Sequence, residues 1–418
     1  MSKEKDIGFR GIVGDRNERF SDLPERVIHE ENRITLLLSE VRIQKRYERD
    51  TRKPARVGGK HGNREQCRPK NATLQEISCM KRPYHKLLQY SFKRFSVLSA
   101  RRTAFPTIAY YLKRPALEKS DKPALCTMNI LPPMMTVWYH CAKKFMGDKA
   151  DIWIFDCSGK LDPADFPGAR VQKFLNFYAA TKCDEFLYSI ARNRRLGWIC
   201  DDDIFLLSPG IVPLIERECS DPQTASLSFR PRRWKYTISG KEYEASSSYC
   251  TVINRDIFCN NEHLSLKPAE GNSHSSKAGL RRYDTFDKAN EILLSKGYRC
   301  PVLPEKKRSE CIAGFSGMSG GVMLLNYFKT PEQTMEYFHG APVERWGANM
   351  LHGILAAMLG ISCIQELAEK ISGKRYPLPS LPSRNDLEKL RRDHEHLIKR
   401  PEALAWMDET CERLRNVC

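Results

Sequence analysis

The chain has 418 residues, with 69 Lys and Arg against 51 Asp and Glu and a formal net charge of +18. This length exceeds one small domain and fits a catalytic domain of about 200 to 250 residues with appended segments. We expect no signal peptide, because the first residues are polar, and the longest apolar run, residues 353–364, is too short to cross a bilayer. The 15 cysteines include no Cys-x-x-Cys pair, which excludes a zinc ribbon and predicts reduced thiols in a cytoplasmic protein.

Residues 1–120 form a polar, basic region in which we predict one helix, at residues 31–49, and a loop or linker at residues 51–69. Between residues 41 and 120, 21 Lys and Arg stand against 5 Asp and Glu, so nearly all of the net charge lies there. Aromatic side chains are interleaved with these cations from Tyr84 onward. Cations for phosphates and rings for bases indicate a polyanion-binding region, such as a contact surface for DNA. The alternatives are a solvated arm whose aromatics pack on the main domain and a patch for anionic lipid.

Residues 121–360 alternate between strand and helix patterns, and residues 361–418 are predicted as a helical extension. Such alternation predicts a mainly parallel sheet flanked by helices, with ligands at the carboxyl ends of the strands. We predict strands at 124–130, 151–155, 196–200 and 225–229, a strand running into a helix at 248–258, and helices at 132–146, 169–194, 288–296, 385–400 and 401–416.

Three consecutive carboxylates, Asp201, Asp202 and Asp203, follow the strand at 196–200. Adjacent carboxylates repel one another unless something positive holds them, and Mg²⁺ or Mn²⁺ carrying a diphosphate satisfies that need. The alternative is an exposed acidic turn, because Asp suits turns and helix caps. The surrounding elements favour the metal site.

The order of these elements resembles that of a GT-A glycosyltransferase, whose fold is a mixed, mainly parallel, Rossmann-like sheet flanked by helices. The resemblance covers residues 121–350, and residues 201–203 correspond to the DxD motif of that family. Residues 338–346 are similar to a His-Gly-Pro-Trp segment of several such enzymes, with Glu344 and Arg345 in place of a common Lys-Pro pair. The other residues that fall in the family order are Asn129, Asp156, Arg170, Lys173 and Asp284.

The resemblance implies transfer of a sugar from a nucleotide-sugar, preferably a UDP-sugar, to an acceptor hydroxyl. It assigns Mn²⁺ or Mg²⁺ to Asp201 and Asp203, with His339 completing the coordination. It also implies a donor-binding set in which Asp156 reads the nucleoside and Arg170 or Lys173 meets phosphate. The full donor-binding set is Asn129, Asp156, Arg170, Lys173, Asp201 and Asp202.

An inverting transfer needs a carboxylate base for the acceptor hydroxyl, and Asp284 is our first candidate, with Asp287 second. Both also suit the N-terminal cap of the helix at 288–296. His339 has an alternative role as a packing histidine.

Residues 317–321 match the Gly-x-Ser-x-Gly hydrolase pattern, which requires a strand before it and a helix after it. Here the apolar residues 322–327 indicate a strand after it, so we interpret residues 314–321 as a mobile loop that excludes water from the site.

The basic region and the DxD context suggest a hydroxymethylated base in DNA as the acceptor, as in the TET-associated DNA-base glycosyltransferases of phages and some eukaryotes. A viral protein of this kind would act in the host cytoplasm. A cytoplasmic glycosyltransferase for envelope polysaccharide or a lipid-linked acceptor, touching anionic lipid, is the alternative from the same chemistry. A non-catalytic nucleic-acid-binding protein is the alternative from another class.

Overall fold

The computed structural model describes residues 84–418 except 177, 348–349 and 400. The predicted helix at 31–49 and the predicted linker at 51–69 lie outside the described residues.

Most of the predicted strands are confirmed, with bounds that differ by a residue or two. Short apolar runs bounded by polar or turn residues form them, as expected for strands of a covered sheet. The strands of the described residues are β1 (Ala124–Asn129), β2 (Asp151–Asp156), β3 (Ala169–Lys173), β4 (Leu196–Cys200), β5 (Ile204–Leu206), β6 (Ser226–Ser228), β7 (Pro231–Ile238), β8 (Lys241–Ser246), β9 (Cys250–Asn254), β10 (Glu270–Gly271), β11 (Arg281–Arg282) and β12 (Ile312–Gly314).

Six of these strands form the central sheet, in the order β3-β2-β1-β4-β9-β6. Strands β1 to β4 are parallel, whereas β9 is antiparallel to both β4 and β6. The predicted fold class, a mixed α/β domain with a mainly parallel sheet flanked by helices, is therefore confirmed. The parallel strands bring their carboxyl ends to one edge, and Asp201 follows β4 at that edge.

Alternate residues along the strands enter two hydrophobic layers, one on each face of the sheet. Leu125, Ile152 and Trp198 belong to one layer, and Trp153 and Ile199 belong to the other. This division follows from the two-residue period of a strand. All thirteen cysteines of the described part are unpaired, and twelve of them are buried in these layers or beside them.

Helices cover both faces of the sheet. The helices are α1 (Tyr84–Lys113), α2 (Pro132–Met146), α3 (Ala179–Glu185), α4 (Ile211–Glu218), α5 (Asp287–Ser295), α6 (Glu305–Cys311), α7 (Met318–Tyr327), α8 (Pro331–His339), α9 (Val343–Gly347), α10 (Met350–Ser372), α11 (Arg384–His394) and α12 (Glu402–Val417). Single turns of 3₁₀-helix lie at Pro163–Asp165 and Glu395–Leu397, and π-helical turns lie at Phe186–Ile190 and Asp256–Asn261.

Helix α10 is the apolar centre of the helical layer and packs against α2, α7, α11 and α12. By length and composition its residues Leu351–Ser372 could span a membrane, but 89% of the apolar window is buried inside the protein. This helix is longer than the apolar run at 353–364 because its partly polar last turns also pack against neighbours.

Two predicted elements are wrong. The predicted helix at 169–194 begins instead as the edge strand β3, and only residues 179–190 are helical, because Ala169–Lys173 pairs in register with β2. The predicted strand at 322–327 is the second half of α7, since its apolar residues pack around a helix rather than on a sheet. The predicted loop at 314–321 is correspondingly shortened to the residues before Met318.

Candidate functional site

The three aspartates leave β4 in a turn that points them in different directions. The Asp201 backbone N–H donates to Tyr249 O at 2.7 Å, and Asp203 O accepts from Phe315 N–H at 3.0 Å. The Asp202 Oδ2 atom accepts from Asn129 Nδ2 at 2.8 Å. Asp202 is therefore turned back to β1, while Asp201 and Asp203 line a common cavity.

The three carboxyl groups are held in an environment that disfavours their negative charge. Burial, followed by repulsion from its two neighbours, raises the pKa of Asp201 well above its ordinary value. Burial likewise raises the pKa of Asp202 to about 7 and that of Asp203 to about 6. The buried Lys182 of α3 and Arg230 lower the pKa of Asp201 and Asp203 respectively, but they do not offset the burial. A further cation would stabilise the ionised pair.

The residues fit a divalent cation held jointly with a ligand. Among residues 84–418, with the gaps given above, no group of three or more His, Cys, Asp or Glu side chains gathers into a metal site. Mg²⁺ is commonly bound by one or two carboxylates together with phosphate oxygens and water. Asp201 and Asp203 would supply the two carboxylates, and a diphosphate would supply the remaining ligands.

The structure places His339 outside the cavity, and its role in completing this coordination stays a prediction. His339 ends α8, is exposed, and is not among the residues that line the cavity. Helix α8 is fixed elsewhere, because Thr334 Oγ1 donates to Ser380 O at 2.7 Å. The chain order that suggested His339 does not bring it to the carboxylates.

The cavity beside Asp201 and Asp203 has a volume of about 850 Å³, which suits a nucleotide-sugar or one acceptor unit. Apolar side chains of β5, β12 and the turn after β12 form one wall. Glu305 and Glu409 add two carboxylates at its periphery. Arginines outnumber the four carboxylates, and they are Arg230, Arg232, Arg233, Arg308 and Arg413.

Two of these arginines lie against aromatic rings. The Arg230 guanidinium lies 5.2 Å from the Trp406 ring centroid and 5.8 Å from that of Tyr249. The Arg232 guanidinium lies 5.6 Å from the centroid of Tyr249. Cation–π contacts of this kind hold guanidinium groups in place while leaving their N–H groups for anions. Trp234 also lines the cavity, so cations and rings alternate along this wall.

One wall of the cavity comes from the C-terminal helix α12. Trp406, Glu409, Thr410 and Arg413 all line the cavity, and their spacing of three and four residues places them on one helical face. Arg413 donates to Ile312 O at 2.8 Å and to Ser309 O at 2.6 Å, and Thr410 donates to the carbonyl of Gly314 at 2.9 Å. These bonds fix α12 against β12.

The two candidate bases have different environments. Asp287 is buried, and its carboxylate accepts from Arg232 Nε at 2.8 Å and from the backbone N–H of Asp284 at 2.9 Å. Burial raises its pKa to about 6 although Arg232 opposes the change. Both carboxylate oxygens are thus engaged, and Asp287 positions Arg232. Its role as the second candidate base stays a prediction.

The carboxylate of Asp284 is less engaged than that of Asp287. Its side chain is 67% exposed and approaches Arg232 at 3.6 Å, so it stands behind an arginine that lines the cavity. Its Oδ1 accepts from the next backbone N–H at 2.7 Å, which leaves Oδ2 beside Arg232. Its role as the base stays a prediction.

The assignment of Asp156 to the nucleoside stays a prediction, and in the structure its carboxylate is bonded to its own loop. Asp156 is fully buried, and its Oδ1 accepts from Ser158 N at 3.0 Å, from the Ser158 hydroxyl at 2.7 Å and from Gly159 N at 2.9 Å. Its Oδ2 accepts from Leu161 N at 3.0 Å. Asp156 therefore organises its own loop, as Asp commonly does in turns. Asn129 is also fully buried, and its Nδ2 donates to Asp202, so its place in the donor-binding set stays a prediction.

Arg170 and Lys173 also lie away from the cavity. Both belong to the edge strand β3, three strands from β4 and thus about 14 Å away at the usual spacing. The Arg170 guanidinium lies over the Trp153 ring at 5.8 Å. Neither lines the cavity, and their assignment to phosphate stays a prediction.

Helix α1 covers the sheet edge where Asp156 ends β2. The Ser99 hydroxyl donates to Cys157 O at 2.5 Å, and Thr107 Oγ1 accepts from Leu175 N at 2.7 Å. A Cβ at Gly159 would lie 2.5 Å from the Cβ of Arg102, so the two elements are in direct contact. The cavity beside the aspartates is lined by residues of β7 and β12 and by none of α1.

No protein-family model matches the sequence, and the comparison with curated proteins gives no match. Among solved structures, the chain is similar to CMP:2-keto-3-deoxy-manno-octonic acid synthetase complexed with CTP, at 12% identity and a TM-score of 0.30, covering 45% of this chain and 98% of that one. It is also similar to a mannosyltransferase from Pyrobaculum calidifontis in complex with GDP-Man and Mn²⁺, at 12% identity and a TM-score of 0.32, covering 79% of this chain and 97% of that one.

Proposed function

We propose that the protein is a metal-dependent glycosyltransferase that moves a sugar from a nucleotide-sugar to an acceptor hydroxyl. The observation that carries the proposal is the pair Asp201 and Asp203, which follow a buried parallel strand and line one cavity with five arginines. Breaking the bond between sugar and diphosphate builds negative charge on the departing diphosphate. A divalent cation bound to the pair would neutralise part of that charge.

The residues around the pair have complementary tasks. Arg230 is positioned by two rings and lies close enough to lower the pKa of Asp203, so its N–H groups can meet a phosphate beside the cation. Ile204, Ile312 and Phe315 supply an apolar wall that limits water near the donor. Asp284 is the proposed base that accepts the proton of the attacking hydroxyl.

We propose the acceptor to be a hydroxymethylated base in DNA. The alternation of arginines with Trp234, Tyr249 and Trp406 supports this choice, because guanidinium groups suit backbone phosphates and rings stack on bases. A base within a duplex would have to leave the stack to reach the carboxylates. A cytoplasmic location, with residues 121–360 as the catalytic domain, remains part of the proposal; residues 361–418 extend it through α12.

The test is a transfer reaction with Mn²⁺, a panel of sugar nucleotides, and either unmodified or hydroxymethylated DNA, followed by digestion and mass measurement of the nucleosides. We expect a mass increase of one sugar on the hydroxymethylated base, abolished by a chelator and by Asp203→Ala. Asp148→Ala is the matched control, because Asp148 is an exposed carboxylate paired with Lys143 away from the cavity.

Transfer that survives both the chelator and Asp203→Ala would overturn the metal-dependent reaction. Transfer to a lipid-linked or polysaccharide acceptor, but not to DNA, would keep the reaction and replace the acceptor. Salt-sensitive DNA retention with no donor hydrolysis or transfer under any condition would identify a non-catalytic nucleic-acid-binding protein instead.

A further inference from the structure

Helix α1 is strongly basic and apolar on two opposite faces. Its 30 residues include six Lys and Arg and no Asp or Glu. In the second half of the helix the inner face, which includes Ala104, Thr107 and Tyr110, is buried against the rest of the protein. A helix that is apolar on one face only would expose polar residues opposite this contact. Around residues 105–112, however, α1 exposes apolar side chains on the face opposite this contact.

The outer face exposes Phe105 by 85% and Leu112 by 83%, the two highest values among the large hydrophobic residues of the described part of the chain. Ile108 lies between them at 37%. Spacings of three and four residues align the three side chains along one line of the helix. Isolated exposed apolar residues are ordinary, but an aligned apolar strip on a basic helix indicates an interaction surface.

Cations flank this strip. Arg102 and Lys113 are both exposed, one near each end, and no acidic residue of the helix neutralises them. The next residue, Arg114, adds a third positive charge. The surface therefore combines exposed apolar side chains with positive charges beside them. This arrangement is complementary to a membrane surface, where anionic headgroups lie above acyl chains.

We propose that this outer face of α1 binds an anionic membrane surface, with Phe105 and Leu112 at the boundary between headgroups and acyl chains and with Arg102 and Lys113 at lipid phosphates. Nucleic acid fits the face less well, because an aliphatic Leu112 gains little from bases that stack on rings. No residue of α1 lines the cavity, so this surface is separate from the proposed catalytic site and does not depend on its chemistry.

The full chain is tested by flotation with vesicles of phosphatidylcholine alone and of phosphatidylcholine with phosphatidylserine. We expect binding to the anionic vesicles only, falling with salt. Phe105→Ser with Leu112→Ser should weaken that binding by about tenfold or more, because each side chain loses apolar burial in the lipid. Arg102→Gln with Lys113→Gln should weaken it by several-fold, because each cation near an anionic surface contributes modestly.

Leu280→Ser is the matched control, because Leu280 is 74% exposed and lies outside α1. It should bind vesicles like the unchanged protein, and all variants should keep the same circular dichroism and melting temperature. Equal vesicle binding by the Phe105/Leu112 variant, or no binding by the unchanged protein, would overturn the proposal. If the Phe105/Leu112 variant lost DNA retention but kept vesicle binding, the surface would be assigned to nucleic acid and the membrane proposal would be overturned. Sugar transfer to a soluble acceptor is expected to be unchanged, which separates this test from the test of the proposed function.

Discussion

Replacing Asp203 by Asn should remove activity while making the metal-free protein more stable. The pKa of this carboxyl is raised from 3.8 to about 6 in the fold, mainly by burial. A pKa difference of one corresponds to about 1.4 kcal/mol, so keeping Asp203 ionised at pH 8 costs at most about 3 kcal/mol of folding free energy. Because the folded pKa lies above the unfolded one, stability decreases as pH rises through about 4 to 6 and the full cost is present at pH 8.

Asn keeps the size and polarity of Asp203 and removes its charge. The pKa of about 6 already includes the attraction of Arg230, so we expect a gain in unfolding free energy of at most about 3 kcal/mol. Thermal unfolding at pH 8 with a chelator should therefore show a melting temperature several degrees higher for Asp203→Asn than for the unchanged protein. The gain should shrink at pH 5, where more of the unchanged carboxyl is protonated.

Adding Mn²⁺ should make the unchanged protein melt at a higher temperature than Asp203→Asn. A cation at 100 times its dissociation constant stabilises the state that binds it by about 2.7 kcal/mol, and the variant has lost one of two carboxylate ligands. The unchanged protein should gain stability with Mn²⁺, whereas Asp203→Asn should gain little. A variant that melts lower without metal, or that keeps the full Mn²⁺ response, would refute the assignment of this pair to a cation. Asp148→Asn should leave the response to metal unchanged.

Three further changes separate positioning from chemistry. Trp406→Ala removes a ring proposed to stack on the acceptor base and should raise the acceptor KM by about tenfold with kcat within about twofold, measured by steady-state kinetics. Asp287→Asn leaves Arg232 without its buried ionic partner and should lower the unfolding free energy by about 3 kcal/mol in urea titrations. Gly159→Ala should lower it by about 1 to 3 kcal/mol, because the new Cβ meets α1 and the backbone φ of +67° disfavours any side chain.

Each of these has an outcome that contradicts it. Equal KM values for the Trp406 variant and for an exposed control such as Val343→Ala would exclude the α12 wall from acceptor binding. A kcat decrease of about 10² or more for Asp287→Asn with unchanged stability would favour Asp287 as the base over a positioning role. Unchanged stability of the Gly159 variant would mean that α1 can move away from the loop after β2.

Parts of the fold were predictable because local patterns agreed with tertiary packing. The strand at 196–200 and the helix at 132–146 were predicted with the bounds that the structure has, since one is a short apolar run and the other begins with two prolines. The edge strand β3 was not, because Ala169–Lys173 is mostly polar and gains its strand partner only from β2. Residues 322–327 show the converse failure, since a short apolar run does not distinguish a strand from a buried helix.

The candidate site divides in the same way. The aspartates after β4 were found because three adjacent carboxylates are a local pattern. The arginine and aromatic wall was missed because Arg230, Tyr249 and Trp406 come from three distant parts of the chain and meet only in the fold. The i, i+3, i+4, i+7 spacing on α12 was visible in the sequence, but nothing local indicated which side of that helix would face a cavity.

Asp156 and Asp203 show why a residue's place in a family order does not by itself assign a role. Both follow a buried parallel strand, yet the carboxylate of Asp156 accepts hydrogen bonds from four donors of its own loop, whereas burial raises the pKa of Asp203. A carboxylate bonded to four donors of its own loop stabilises that loop. A carboxylate that destabilises the fold needs a compensating partner, and the cavity beside Asp203 is where that partner can enter. The proposed metal-binding role is therefore assigned to Asp203, whose charge the fold does not compensate.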